Sequence, residues 1–207
     1  MRLLRCALCG LLLALAGCPA PEESGGGETA GSSGFRPSEP IPDEHPLLRY
    51  DRLWLGMDSL ALSQAYNAPQ GRGDGFNRVI QQYGDVAHHI INFDKEEGRP
   101  LRRIVASLFR DRMYIIVDRR EGITLEQRDE WFAGLVEQYG EEYETILPTS
   151  QWSWGDKDGV LLTFTQDNAS ADLMTANVVL EHAPTRAAAH DYLELWEKEH
   201  PEEMRQN

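Results

Sequence analysis

Hydrophobic and polar positions divide the chain into three regions. Apolar residues crowd positions 6–16, small and polar residues dominate positions 19–46, and periodic apolar patterns then continue to about Trp196. A segment as poor in large apolar residues as 19–46 does not bury enough surface to offset its ordering entropy. The pattern predicts a leader at 1–17, a flexible tether at 18–46, a folded domain at 47–200 and a disordered tail at 201–207.

The first half of the domain, 47–120, has the pattern of a short helix followed by strands. Asp58 is a candidate N-cap, and Leu62, Ala65 and Tyr66 follow at helical spacing before Pro69 ends the run. Extended patterns follow this helix, and residues rich in glycine or charge separate them. They predict strands near 78–83, 86–93, 101–110 and 113–118, with a hairpin loop at 94–98 and a tight turn at 110–112.

The second half, 121–200, begins with a stronger helix signal. Thr124 and Gln127 have the spacing of a capping box, and Gly140 stands where a helix end favours positive φ. Between them, Trp131, Leu135 and Tyr139 share one helical face. Strands are predicted at 151–154, 160–165 and 177–182, and a final helix at 186–199.

Together these elements predict an α+β fold, with an antiparallel sheet and helices packed on one face. Both halves follow a similar order, a helix and then about three strands, which suggests a duplication with halves 47–120 and 121–200. About 150 residues are enough for one domain or for two small, closely packed halves.

The start of the chain has the pattern of an export signal. Arg2 and Arg5 precede an apolar stretch of about a dozen residues, shorter than the ~20 that a membrane-spanning helix needs. The sequence Leu15-Ala16-Gly17-Cys18 then resembles the lipobox of bacterial lipoproteins. That resemblance implies cleavage before Cys18, a diacylglyceryl thioether on its thiol and an acyl chain, such as palmitate, on its amine. An ordinary secretory signal cut near Ala20 is the alternative.

Lipidation at Cys18 predicts a protein held at a membrane, since each buried methylene contributes ~0.8 kcal/mol. Pro19 is not the aspartate associated with retention in the inner membrane, so the outer membrane is favoured as the location. The tether would hold the domain roughly 30 Å from the lipid on average.

Cysteine content and charge exclude several classes of function. Cys6 and Cys9 lie in the predicted leader, so the domain has no disulfide, thiolate nucleophile or cysteine-bound metal. Removing the two leader arginines leaves 18 basic and 34 acidic residues, a formal charge of −16. The densest basic stretches, 99–103 and 110–120, are short and interrupted, so we expect no nucleic-acid partner.

Candidate catalytic and metal-binding residues are few. His88 and His89 would face opposite sides of a strand, so either one with His182 is a weak metal candidate. Asp156 and Asp158 resemble calcium ligands in type, but their loop lacks further oxygen ligands and a hairpin turn is the simpler interpretation. We therefore predict no catalytic residue, metal or cofactor, and no enzyme activity.

Trp152 and Trp154 are the candidate binding surface. Two residues apart on a strand, they share one face. If that face is exposed, the pair forms a platform for a protein edge or a sugar ring; if it is the core, the pair is ordinary packing.

The residues Leu53-Trp54-Leu55-Gly56-Met57-Asp58, with the helix that ends before Pro69, resemble the opening motif of the small outer-membrane assembly lipoproteins. The doubled element order is similar to the beta-lactamase-inhibitor-protein-like fold. Both resemblances imply function through protein binding. The sequence thus predicts a lipid-anchored, non-enzymatic module of the cell envelope that binds or scaffolds another protein. The alternatives are an inhibitor-like or small-ligand-binding periplasmic domain and an enzyme whose site lacks a local motif.

Overall fold

An antiparallel sheet of eight strands organises the residues that the computed structural model describes, which are 40–66, 75–93, 100–146, 150–168 and 173–202. All of them belong to one structural unit that starts at residue 35. Three helices accompany the sheet in these ranges, so the predicted α+β class with an antiparallel sheet is confirmed.

The described elements follow the predicted order, with three short strands added, at 49–50, 53–54 and 144–146. The helices are α1 (Ser59–Tyr66), α2 (Leu125–Tyr139) and α3 (Ala183–Glu199). The strands are β1 (Arg49–Tyr50), β2 (Leu53–Trp54), β3 (Phe76–Tyr83), β4 (Val86–Asn92), β5 (Leu101–Phe109), β6 (Arg112–Ile123), β7 (Glu144–Ile146), β8 (Gln151–Gly155), β9 (Val160–Asn168) and β10 (Met174–His182). The predicted hairpin loop at 94–98 lies outside the described residues.

The sheet joins two four-stranded meanders. Its strand order is β3-β4-β5-β6-β10-β9-β8-β7, so the last strands of the two halves, β6 and β10, pair at the centre. Each half is a helix followed by four strands within the described ranges. The second half has one strand more than predicted, because β7 is a short edge strand whose three residues are all exposed and show no apolar alternation.

One face of the sheet, called here the first face, bears the larger hydrophobic core. Side chains of β4, β5, β6, β8, β9 and β10 meet residues of α1, α2 and the β1–β2 segment in a single cluster. Its fully buried large side chains include Leu53, Leu62, Ile116, Trp154 and Phe164. Ile41, in the predicted tether, also packs against this cluster, so packed structure begins before residue 47.

The opposite, second face is packed by α3. Ala188 and Ala189 of this helix lie in a separate cluster with buried residues of β4, β5 and β6. The sequence predicts that the helices pack on one face of the sheet. The structure does not clearly show this, because α1 and α2 contribute to one cluster and α3 to the other.

The turn between β3 and β4 brings the backbone close to α3. Gly84 has φ +51°, and a Cβ there would overlap the Tyr192 hydroxyl and the Trp196 ring. Glycine is required here because other residues rarely adopt this φ and because there is no space for a Cβ atom. The Tyr192 hydroxyl also accepts a hydrogen bond from the Asp85 amide at 3.1 Å. The turn therefore fixes the C-terminal half of α3 over this corner of the sheet.

Local capping signals account for where α1 and α2 begin. Asp58 accepts a hydrogen bond from the Ala61 amide at 2.7 Å, as its N-cap role requires. Thr124 and Gln127 form the predicted capping box, with hydrogen bonds of 3.0 and 3.2 Å. Gly140 follows α2 with φ 93°. These predictions are confirmed, and they place α2 across the first face.

Candidate functional site

The two tryptophans of the candidate surface lie on the first face. Trp154 is only 2% exposed, and its indole donates a hydrogen bond to the Gly140 carbonyl at 2.8 Å. Trp152 is half-buried, with ring contacts to Phe132 and Phe164 at 5.1 and 5.8 Å between centroids. The two tryptophans therefore pack in the core and do not form an exposed platform, because α2 covers their face of the strand.

Cys18 lies outside the described residues, and its predicted lipidation stays a prediction. Among the residues that the structure describes, no helix combines the length and hydrophobicity needed to cross a bilayer.

The three candidate metal-binding histidines each bond to a neighbouring side chain. His88 Nδ1 lies 2.8 Å from Ser107 Oγ on the second face, and His89 Nδ1 lies 3.1 Å from Asn77 Oδ1 on the first. His182 Nδ1 lies 2.8 Å from Thr185 Oγ1 at the start of α3. Two strands, β5 and β6, separate β4 from the strand of His182. The described ranges contain no group of three or more His, Cys, Asp or Glu residues suited to a metal ion.

The contact between His88 and Ser107 was not visible in the sequence. Burial, and to a lesser extent His89, lowers the pKa of His88 to about 4. The neutral imidazole then bonds to a serine that is 3% exposed. A hydrolase nucleophile must reach its substrate, and this hydroxyl is buried where strand pairing places it beside the histidine. The pair therefore acts as a buried polar contact of the sheet.

Asp156 and Asp158 occupy the β8–β9 turn. Asp156 Oδ1 accepts a hydrogen bond from the Asp158 amide at 3.0 Å, and its carbonyl accepts one from Gly159 at 3.1 Å. Both aspartates are exposed. These bonds are those of an Asx-stabilised turn, which agrees with the hairpin interpretation.

A buried carboxylate on the first face holds the N-terminal segment. Asp118 is completely buried and accepts hydrogen bonds from the Tyr50 hydroxyl at 2.8 Å and from Arg102 at 3.0 and 3.2 Å. Arg102 also pairs with Asp51 at 2.7 Å. Burial, followed by the Asp118 charge, raises the pKa of Tyr50 well above its usual range, so this hydroxyl remains a donor.

Beside this carboxylate, α2 and the sheet border a wide cleft of about 420 Å³. Arg120 lies over the Trp131 ring in this cleft, 3.8 Å from its centroid. The cleft also includes Arg102, Asp51 and Glu130, so charges of both signs line it.

On the second face, a row of polar side chains lies outside the α3 cluster. Strand register aligns six hydrogen-bonding side chains across six neighbouring strands. We call this alignment the polar row, and it consists of Asn92, Arg103, Arg119, Asn177, Thr165 and Gln151. At ~4.8 Å between strands, it spans roughly 24 Å.

An apolar row lies beside the polar row, one step closer to α3. It consists of Ile90, Val105, Val117 and Val179, which are aligned by the same strand pairs. Val117 and Val179 pack at the margin of the α3 cluster, whereas Ile90 and Val105 belong to neither cluster. The second face thus has an apolar end under α3 and a polar end whose side chains are half-buried, or buried in the case of Asn177.

Sequence reasoning missed the polar row, although part of its signal was present. The stretches 99–103 and 110–120 are basic, and adjacent arginines on a strand must point to opposite faces. Arg102 and Arg120 indeed point to the first face, and Arg103 and Arg119 to the second. Strand order and register, which bring side chains from six strands into line, could not be inferred from local patterns.

Comparison with protein-family models, with curated proteins and with solved structures finds no match to this chain.

Proposed function

We propose that the protein is a lipid-anchored lipoprotein of the cell envelope whose folded domain binds another protein through the polar row of the second sheet face. The polar row carries this proposal. Aligned hydrogen-bonding side chains beside a row of apolar ones have the mixed composition of a protein interface. Binding would be non-enzymatic, and the outer membrane is the favoured location.

The anchor rests on the lipobox Leu15-Ala16-Gly17-Cys18. Acyl chains on Cys18 would keep the domain at the membrane surface while the tether lets it reach a partner. Duplication of a helix-and-strand unit is a further part of this proposal. It is supported by the two meanders of four strands, each preceded by a helix.

Lipidation is tested by metabolic labelling with a palmitate analogue and by mass spectrometry of the purified N-terminus. The wild-type protein should incorporate the label and partition into detergent, whereas Cys18→Ser should do neither. An unmodified N-terminus on the wild-type protein, or its free release without detergent, would refute the anchor.

Binding through the second face is tested by a photo-crosslinking residue, benzoylphenylalanine, placed at position 165 in intact bacterial cells. Thr165 is half-buried in the polar row, and exposed Ala133 on α2 is the matched control position. A discrete protein adduct should form from position 165 and not from position 133. Equal adducts from both positions, or none from position 165, would refute binding through this face.

The alternative of a small-ligand-binding domain is favoured by one observation, the cleft that contains Arg102, Arg120 and Trp131. Because this cleft is wide and borders the first face, loss of ligand binding in Arg120→Gln but not in Arg119→Gln would distinguish it from binding through the second face.

A further inference from the structure

A pocket of about 390 Å³ lies on the first face, where the start of α1 meets β3, β4 and the β5–β6 turn. Val79, Ala87 and Leu108 form its apolar wall, and His89 lines it beside them. None of these residues belongs to the polar row or lines the cleft beside α2. The pocket is thus separate from both surfaces considered above for binding.

His89 brings an unpaired acceptor to this pocket. The side chain belongs to a residue that is 5% exposed, and its Nδ1 lies 3.1 Å from Asn77 Oδ1. An amide oxygen only accepts hydrogen bonds, so Nδ1 carries the ring proton and Nε2 carries the lone pair. Burial lowers the pKa of His89, so the ring is neutral at pH 7. No residue in the described ranges bonds to Nε2, which leaves this acceptor to a donor from a bound molecule.

Asp111 adds a carboxylate to the same pocket. It accepts a hydrogen bond from the Ser59 amide at 3.0 Å, and its bonds to Ser59 lower its pKa, so it stays ionised at neutral pH. The Asp111 charge partly opposes the effect of burial on the pKa of His89. The carboxylate therefore acts on the ring, and the two acceptors face one pocket.

The nearest arginines do not neutralise this carboxylate. The Arg110 guanidinium pairs with Asp85 at 3.4 Å and lies over the Phe109 ring, 5.1 Å from its centroid, and Phe109 belongs to the second-face cluster. Arg112 donates a hydrogen bond to a backbone carbonyl before α1 at 3.1 Å and acts on Asp111 from a longer distance. Within the described ranges Asp111 forms no ion pair.

We propose that this pocket binds a primary ammonium group carried on a short alkyl chain. Its N–H groups would donate to His89 Nε2 and to the Asp111 carboxylate, and its methylene groups would contact the apolar wall. An alkylammonium matches the pocket because it has three donors, no acceptor, a positive charge and an apolar stem. The site goes beyond the proposed function, because it lies on the opposite face from the polar row.

Other ligands match these groups less well. An anion is repelled by Asp111, and an alcohol supplies a donor but no charge to pair with it. A transition metal needs three or four ligands, and the described ranges contain no such group. A second copy of the chain brings a formal charge of −14, so two copies repel each other, whereas the same charge attracts a cation.

The experiment uses the full-length protein purified in detergent and three probes with the same alkyl chain. Pentylammonium has charge and N–H donors, pentyltrimethylammonium has charge without donors, and pentanol has a donor without charge. NMR titration of the backbone amide signals of the pocket measures their affinities. Pentylammonium should bind about tenfold or more tightly than either of the others, because charge-assisted hydrogen bonds contribute about one decade or more in affinity.

Two variants locate the site. Asp111→Asn keeps an acceptor for Ser59 and should weaken pentylammonium about tenfold while leaving pentanol unchanged; His89→Phe keeps a ring of similar volume and should weaken it comparably. The matched control, Asp156→Asn, removes another exposed turn carboxylate that accepts a backbone hydrogen bond and should change nothing. Equal affinities of wild type for the three probes, or an unchanged preference in Asp111→Asn, would overturn the inference even if His89→Phe failed to fold.

A further pair of probes identifies the source of the ammonium group. The blocked peptide acetyl-Gly-Lys-Gly-amide should bind as tightly as pentylammonium if the natural ligand is a lysine side chain of another protein, and its acetyl-lysine form should not bind. Binding of pentylammonium without the lysine peptide would assign the site to a free small amine.

Two outcomes would assign the pocket to a different occupant. Displacement of pentylammonium by an equal concentration of Zn²⁺ would overturn the inference in favour of a metal. A dimer in sedimentation that Asp111→Asn abolishes would overturn it in favour of a second copy. Neither outcome alters the crosslink expected from position 165, so the proposed function is tested independently.

Discussion

The two faces of the sheet use arginine in contrasting ways. On the first face, Arg102 pairs with buried Asp118 and with Asp51, and it lies over the Phe93 ring. One residue later on the same strand, Arg103 projects from the second face opposite another arginine, without a pairing carboxylate in the described ranges. Arg102 is thus held by internal ion pairs on the first face, whereas Arg103 on the second face has no ion pair within the described ranges.

This difference separates stability from binding. Buried ion pairs that are fully hydrogen-bonded become costly to break, because the remaining charge loses its compensation. Partly exposed side chains with few contacts contribute little to folding. We therefore expect substitutions on the first face to change mainly the free energy of unfolding, and substitutions in the polar row to change mainly binding.

The largest expected effect comes from the first-face core. Trp154→Ala should lower the free energy of unfolding by about 4 kcal/mol, because it removes a buried ring and leaves a cavity. Ser153→Ala, one residue away on the second face, should cost less than about 1 kcal/mol. Urea unfolding monitored by circular dichroism measures both changes. Similar losses in both variants would contradict the contrast between the faces.

Adjacent arginines on β5 give the next comparison. Arg102→Gln should destabilise the fold by about 3 kcal/mol, because Asp118 stays buried without its main cation. Arg103→Gln should change the free energy of unfolding by no more than about 0.5 kcal/mol, and relief of repulsion from Arg119 favours a small gain. Chemical denaturation of the two single variants and of wild type provides the measurement. If Arg103→Gln were as damaging as Arg102→Gln, the second face would be structural.

The smallest of the three effects depends on pH. Because the folded-state pKa of His88 is lowered to about 4, the unfolded chain binds a proton first as the pH falls through about 6.5. Stability is therefore lost progressively on acidification, by about 2 kcal/mol between pH 6.5 and pH 5. His88→Gln should flatten this part of the pH profile, whereas His190→Gln, at an exposed position, should preserve it. Parallel profiles for wild type and His88→Gln would show that His88 does not titrate in this way.

Much of the fold was predictable because local signals and tertiary packing agree. The capping box at Thr124 and the glycine after α2 specify helix ends by hydrogen bonding and backbone geometry, independently of distant residues. Alternation of apolar residues located the longer strands. The edge strand β7 escaped prediction because its pairing with β8, rather than burial, defines it.

Local sequence patterns do not contain the contacts between residues that are distant in sequence. Apolar spacing indicates that Trp131 and Ala188 lie on helix faces toward a core, but does not tell which side of the sheet each helix covers. Burial of Trp154 likewise follows from the position of α2 across β8. The Ser107–His88 contact and the polar row depend on register between strands distant in sequence, so each required the sheet order before it was visible.

The attachment of the N-terminal segment has a mechanical consequence. Tyr50 and Asp51 are linked, through Asp118 and Arg102, to β6 and β5 in the middle of the sheet, and the Tyr139 hydroxyl bonds to the Arg49 carbonyl at 2.6 Å. A pull on the chain before Arg49 is therefore transmitted to central strands by way of the first face. The polar row lies on the second face, so this force would not act directly on a partner bound there.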